Sequence, residues 1–145
     1  MRTYPDVPLA KCTSGKPTWW MVTEDVLCED ADGSRYIIPA GFVSNFASMP
    51  SLLYPLIPPH GPSAIPSVKH DYRYTHLVGM GELGYWEARL AADRQYYRDL
   101  RKAGVKRKIA RAMYRGVRAG GWWWWNRHAR RKLGELMQIY VSLHL

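Results

Sequence analysis

Two stretches, 66-PSVKHDYRYTHL-77 and 86-WEARLAADRQYYRDL-100, decide how this chain folds. In the second, Trp86, Leu90, Tyr97 and Leu100 recur at spacings of four, seven and three, which predicts one apolar stripe on a helix. Asp93 falls inside that stripe. A carboxylate aimed into a core costs on the order of several kcal/mol unless it is paired or hydrogen-bonded, so something must meet it. The first stretch offers the partner: Pro66, His70, Tyr74 and Leu77 share a face at spacings of four, four and three, and His70 therefore points inward as well. Two antiparallel helices, each with one polar residue in its buried face, predict a contact between His70 and Asp93. Such a carboxylate fixes the imidazole tautomer and supports its cationic form, as in general-base sites, with Tyr74 on the same face. The same pair serves equally well as a plain tie between two helices. Asp71 lies about 100° around the helix from His70, facing the preceding loop, where it is placed to bind a cation. His60 and His76 extend this to a possible metal cluster, although the spacing is not that of a zinc protease motif.

Outward from this helix pair the chain reads as α+β. Trp19–Val22, Asp25–Cys28 and Arg35–Ile38 are short apolar runs, and Asp32-Gly33 is a two-residue turn signal, so a hairpin is expected from about Val26 to Ile38. Phe42-Val43 is placed to open another strand. From Asn45 to Pro66 prolines 50, 55, 58, 59, 62 and 66 forbid a long regular element. Leu52, Leu53, Tyr54, Leu56 and Ile57 nevertheless predict that this segment packs on the core. Pro66 suits a first helical turn. Helices are expected from Pro66 to about His76, from about Glu82 to Lys102, from Val105 to Arg118 with a stop at Gly120-Gly121, and from about Asn126 to Leu143. The expected organisation is one domain over 1–145: a β part at about 19–43, a proline-rich loop at 44–65, a helical core at 66–118, and a Trp-rich turn with a final helix at 122–145.

Length and composition agree with one globular domain, since 145 residues suffice for a core and 47% are apolar. No run approaches the roughly 20 apolar residues of a membrane span, and the N-terminus lacks the apolar centre of a secretory signal. Cys12 and Cys28 fit no zinc spacing and are expected to be reduced thiols. The net charge of +9 is concentrated near the end: Arg98 to Lys132 holds thirteen Lys or Arg against one acid, Asp99. Val105, Ile109, Met113 and Val117 recur every four residues while Lys106, Arg107, Lys108, Arg111, Arg115 and Arg118 cover the other sides, which predicts a basic amphipathic helix. Trp122, Trp123, Trp124 and Trp125 follow. Basic residues with tryptophans suit a protein interface, a lipid surface, single-stranded nucleic acid or simple closure of the core. The last helix places Leu133, Leu136, Met137, Tyr140 and Val141 on one side. In a monomer this helix is expected to fold back on the core, and in an assembly to dock on a neighbour.

GFVSNFASMPSLLYPLIPPHG, VKHDYRY and AADRQYY, in this order, resemble a phage and prophage family catalogued as domain of unknown function 1353. Gly41, Phe42, Phe46, Ala47, Ser48 and Pro50 match the family's first run, and Asn45 stands where the family usually has Asp. His70, Asp71 and Tyr74 match its second motif. Ala92, Asp93 and Tyr96 match the third, with Tyr for Phe. The likeness spans roughly Trp20 to Trp125. Leu77–Trp86 is longer than the family pattern, and the tail after Trp125 is additional. The helix pair also resembles, more distantly, prokaryotic secreted phospholipases A2. That resemblance implies His70 as the base, Asp93 as its support and Asp71 as a calcium ligand; it lacks those enzymes' glycine-rich calcium loop and their disulfides.

The expected function is that of a non-enzymatic minor virion or tail-associated phage protein. Its basic, Trp-rich end would bind other virion proteins or a second copy, after synthesis in the host cytoplasm. A calcium-assisted hydrolase of the host envelope is the alternative, and a nucleic-acid-binding protein the second alternative.

Overall fold

The computed structural model describes residues 2–3, 9–12, 19–30, 33–44, 52, 55 and 61–144. Strand β4 (Val26–Glu29) pairs antiparallel with β5 (Arg35–Ile38), Val26 opposite Ile38 and Cys28 opposite Tyr36. Alternation puts Val26, Cys28 and Ile38 into the core, while the Glu29 carboxylate on the outer face takes the Arg35 guanidinium at 2.7 Å. The connection differs from the expected two-residue turn. The Asp30 amide bonds to the Ser34 carbonyl and the Gly33 amide to the Asp30 carbonyl, giving a three-residue loop closed by Gly33 at φ 83°. A left-handed residue in third place lets such a loop match the strand twist.

Two strands were not foreseen. β1 (Arg2–Thr3) runs parallel to β4, and β2 (Leu9–Lys11) runs antiparallel to β3 (Trp20–Val22), which pairs on its other side with β6 (Val43–Ser44). The result is two small sheets, ordered β1-β4-β5 and β2-β3-β6.

Helix α1 (Ala64–Thr75) holds Pro66 in its first turn, and everything from Ser63 to Asp71 is buried. It is a central helix. Leu77 just beyond it adopts φ 50°, a conformation that costs a non-glycine residue about 1–2 kcal/mol. Its side chain is held at 3% exposure in a cluster with Tyr74, Ala88, Ala92 and Trp125.

The expected second helix is two: α2 (Met80–Leu83) and α3 (Tyr85–Lys102), divided at Gly84, whose φ of 87° interrupts a continuous helix. The buried residues of α3 are Ala88, Arg89, Ala92, Asp93, Gln95, Tyr96, Asp99 and Leu100. Asp93 and Leu100 lie on it as expected, but Trp86 is 63% exposed and Leu90 and Tyr97 are half-buried. Small alanines form the contact instead, because α3 packs closely on α1.

The largest departure is at the C-terminus. One helix, α4 (Arg107–His144), runs for 38 residues through Gly120-Gly121 and all four tryptophans, where a break between two helices was expected. Glycine inside a helix costs about 1 kcal/mol, a penalty that packing easily exceeds. Gly121 is a close-packing site rather than a stop: a Cβ there would lie 2.7 Å from the Tyr74 hydroxyl. Nor does the last stretch fold back, since residues 130–144 are exposed throughout. Leu52, expected to pack inward, is 86% exposed, and positions 53, 54, 56 and 57 lie outside the described residues.

Gly121→Ala is expected to destabilise the protein by about 1–3 kcal/mol in urea unfolding, because the added methyl displaces Tyr74 and outweighs the gain in helix propensity. Gly134→Ala, in the same helix with open space around it, is expected to raise helicity by circular dichroism without loss of stability.

Candidate functional site

A buried polar side chain must find a partner, and α1 buries five: Ser67, Lys69, His70, Asp71 and Tyr74. His70 and Asp93 meet as the sequence predicts. His70 Nε2 lies 2.7 Å from Asp93 Oδ1, with side chains 2% and 0% exposed. The Tyr74 hydroxyl donates to the same oxygen at 2.7 Å, and Arg118 Nη1 donates to Oδ2 at 2.8 Å. Arg89 closes the ring. Its Nε donates to the Tyr74 hydroxyl at 3.2 Å, and its Nη2 donates to the Val117 and Arg118 carbonyls at 3.0 and 2.7 Å. Burial raises the Asp93 carboxyl's affinity for protons, but the bonds from His70, Tyr74 and Arg118, with the charge of His70, overcome this and hold it below the usual carboxylate range. An ionised carboxylate only accepts, so His70 presents its Nε2 proton to Asp93. Burial and the adjacent Asp93 push the Tyr74 phenol up, which keeps its donor proton in place.

The imidazole is further enclosed by rings, Tyr74 at 4.4 Å and Tyr96 at 4.7 Å between centroids. Tyr96 in turn shares a 2.9 Å hydrogen bond with Ser67. The imidazole is thus sealed between aromatic faces.

On the other side of α1 lies a second buried ionic cluster. Lys69 Nζ sits 2.9 Å from Asp99 and 3.4 Å from Asp30, Arg73 pairs with Asp30, and Gln95 donates to Asp99 at 3.0 Å. Two cations face two carboxylates, joining the β4–β5 loop to α1 and α3. Sequence reasoning missed this cluster; the available signal was Asp99, the lone acid of a basic run, positioned next to buried Leu100. Nearby, burial pushes the Cys28 thiol up to about 11, so it is an inert core group, and both cysteines are free.

The Asp71 carboxylate, expected to look toward the preceding loop, accepts the Ser44 hydroxyl of β6 at 2.7 Å, and the residue is 7% exposed. Among the described residues no group of three or more His, Cys, Asp or Glu converges as a metal site. His76 stacks beside Tyr72 and bonds its own helix at the Tyr72 carbonyl, and His60 lies outside the described residues. Of the first motif, Gly41 takes φ 88° in the turn before β6, and Phe42 packs edge-on against Tyr72 at 5.4 Å. Asn45, Phe46, Ala47, Ser48 and Pro50 lie outside the described residues.

The residues expected to bind partners divide. Lys106, Arg107, Lys108, Arg111 and Arg115 are exposed, as are Trp122 and Trp123. Arg118 is a correction: its guanidinium is spent on Asp93. Trp125 is another, at 0% exposure against Tyr74 (5.2 Å), and Trp124 is half-buried. The tryptophan run follows helical geometry, so Trp125 turns inward, Trp124 packs at the edge of its cluster, and Trp122 and Trp123 face solvent.

The motif order and this arrangement place the chain in a family. Residues 20–117 match the family described as Protein of unknown function (DUF1353), and the chain belongs to it. The match ends ahead of Arg118, so the exposed half of α4 lies beyond it. Neither curated proteins nor solved structures yield a match.

Because the folded Asp93 carboxyl titrates below its unfolded value, the folded state binds fewer protons between the two. Its stabilisation is therefore complete above about pH 5 and drains away as pH falls through the unfolded value of about 4 towards the folded one. Wild type should exceed Asp93→Asn in urea stability at neutral pH, and the gap should narrow steadily from about pH 5 to about pH 2. Lys69→Met, which strips the buried Asp99 of its cation, is expected to cost about 3–5 kcal/mol by the same measurement.

Proposed function

We propose that this protein is a non-catalytic assembly component, a minor virion or tail-associated protein of a bacteriophage, that docks another protein through the projecting end of α4. The observation that carries this reading is the arm itself. Residues 130–144 are exposed throughout, yet Leu133, Leu136, Met137, Tyr140, Val141 and Leu143 are each 44–75% open to solvent. Single exposed apolar residues are ordinary, whereas a contiguous set marks an interaction surface. A helical stretch of about 15 residues is marginal alone in water, and its stability comes from packing an apolar face.

The chemistry of the arm favours a protein over a lipid surface. Interfacial helices carry Lys and Arg along the polar face, but residues 133–144 contain neither, and Glu135, Gln138 and Ser142 occupy that side. At the base of the arm Trp123 and Trp124 lie under the Arg127 guanidinium, each at 5.5 Å, and Trp and Arg are common interface anchors. The His70 imidazole, 2% exposed and bonded across to Asp93, ties α1 to α3, which supports the non-catalytic part of the reading. Assignment to a phage virion draws on the motif resemblance described above.

Leu136→Glu with Tyr140→Glu tests the docking surface without touching the core. The wild-type chain is expected in virions by mass spectrometry, or in a higher-mass species by light scattering, and the double variant in neither, with unchanged circular dichroism. A wild-type protein that is monomeric and absent from virions overturns the proposal.

A further inference from the structure

A second surface lies on the opposite half of α4, where that helix packs antiparallel on α3 after the turn at Gly104. There a groove of about 670 Å³ is lined by Arg94, Tyr97 and Arg98 of α3 and by Arg111, Tyr114 and Arg115 of α4. All four arginines are exposed, none of the lining residues is acidic, and among the described residues none of the four forms an ion pair. The acids nearest in sequence are engaged elsewhere: Asp93 by His70 and Arg118, Asp99 by Lys69 and Gln95. Tyr97 and Tyr114, half-buried and edge-to-face at 6.0 Å, form the floor.

We infer that this groove binds the phosphodiester backbone of single-stranded nucleic acid, a ligand independent of the protein partner of the arm. Guanidinium groups present paired donors that match phosphate oxygens. Within each helix the two arginines are one turn apart, about 6 Å along the axis, so the groove offers two parallel rows of cations rather than a single anion cup. Arg107, one turn before Arg111, continues the α4 row. Tyrosine rings between the rows supply faces on which bases stack without sequence preference. A lipid headgroup site would need aliphatic side chains at the rim to enter the acyl region, and the lining contains none.

Binding of a fluorescein-labelled oligothymidylate of about twenty nucleotides, followed by anisotropy against salt concentration, tests this. With about 0.7 counterion released per phosphate neutralised, four arginine contacts give a log–log slope near −2.8, an affinity loss of about fiftyfold between about 50 and about 200 mM salt. Arg98→Gln with Arg111→Gln should bring the slope to about −1.4, a loss of about sevenfold over the same range. Arg130→Gln with Lys132→Gln removes equal charge from the arm and should keep the wild-type slope. Both pairs are exposed, so thermal melting should match wild type. Equal slope changes for the two double variants, or a wild-type affinity flat in salt, would overturn the inference. So would capture by anionic phospholipid vesicles through Arg98 and Arg111 with no binding of the oligonucleotide.

Discussion

Helix α1 is enclosed by the sheets, α3 and α4, and it nonetheless carries Ser67, Lys69, His70, Asp71, Arg73 and Tyr74. Enclosure makes each of these a liability unless a neighbour supplies the complementary group. The rest of the fold is arranged around that requirement. Asp93 of α3 and Arg118 of α4 serve one side, Asp30 of the hairpin loop and Asp99 of α3 serve another, and Ser44 of β6 takes the third. The hairpin loop, β6 and α3 each reach α1 with a polar tie, and α4 is tied to it through Asp93 and Arg89 of α3.

Such ties specify geometry more than they add stability. Isolated buried charge pairs often do little better than apolar substitutes, but losing one member leaves a stranded charge. Arg89 illustrates how the ties lock relative position: one side chain on α3 reaches the phenol of α1 and two backbone carbonyls in mid-α4. A slide of α4 would break both carbonyl contacts, and one that brought Trp122 to the place of Gly121 would drive its side chain into Tyr74. The Arg89 guanidinium and the bare Cα of Gly121 thus add to the Asp93 ties in setting the register of three helices.

The His70–Asp93 contact was legible because a polar residue in an apolar helical stripe is conspicuous, and two such residues on adjacent helices point to each other. The β4–β5 hairpin was legible from two short apolar runs on either side of Asp32-Gly33. Other parts were not, for identifiable reasons. Trp86 and Leu90 look like core by type, but the buried face of α3 runs through Ala88, Ala92, Asp93 and Tyr96 instead. Gly120-Gly121 reads as a terminator when glycine is taken as a backbone signal, whereas here its lack of a side chain is what matters. Arg118 looked like one more solvated cation among thirteen, and only tertiary structure distinguishes the one that turns inward. β1 and β2 are too short, at two and three residues, for any periodicity to register.

The uninterrupted course of α4 has a mechanical consequence. Thirty-eight residues at about 1.5 Å each make a rod close to 57 Å long, with its first half clamped into the body and its last turns standing free. Whatever grips the tip is held at a set distance and angle from the body, without the slack a linker would introduce. A load on the tip is carried by backbone hydrogen bonds directly to the residues around Tyr74, so the projecting end behaves as a spacer strut rather than a tether.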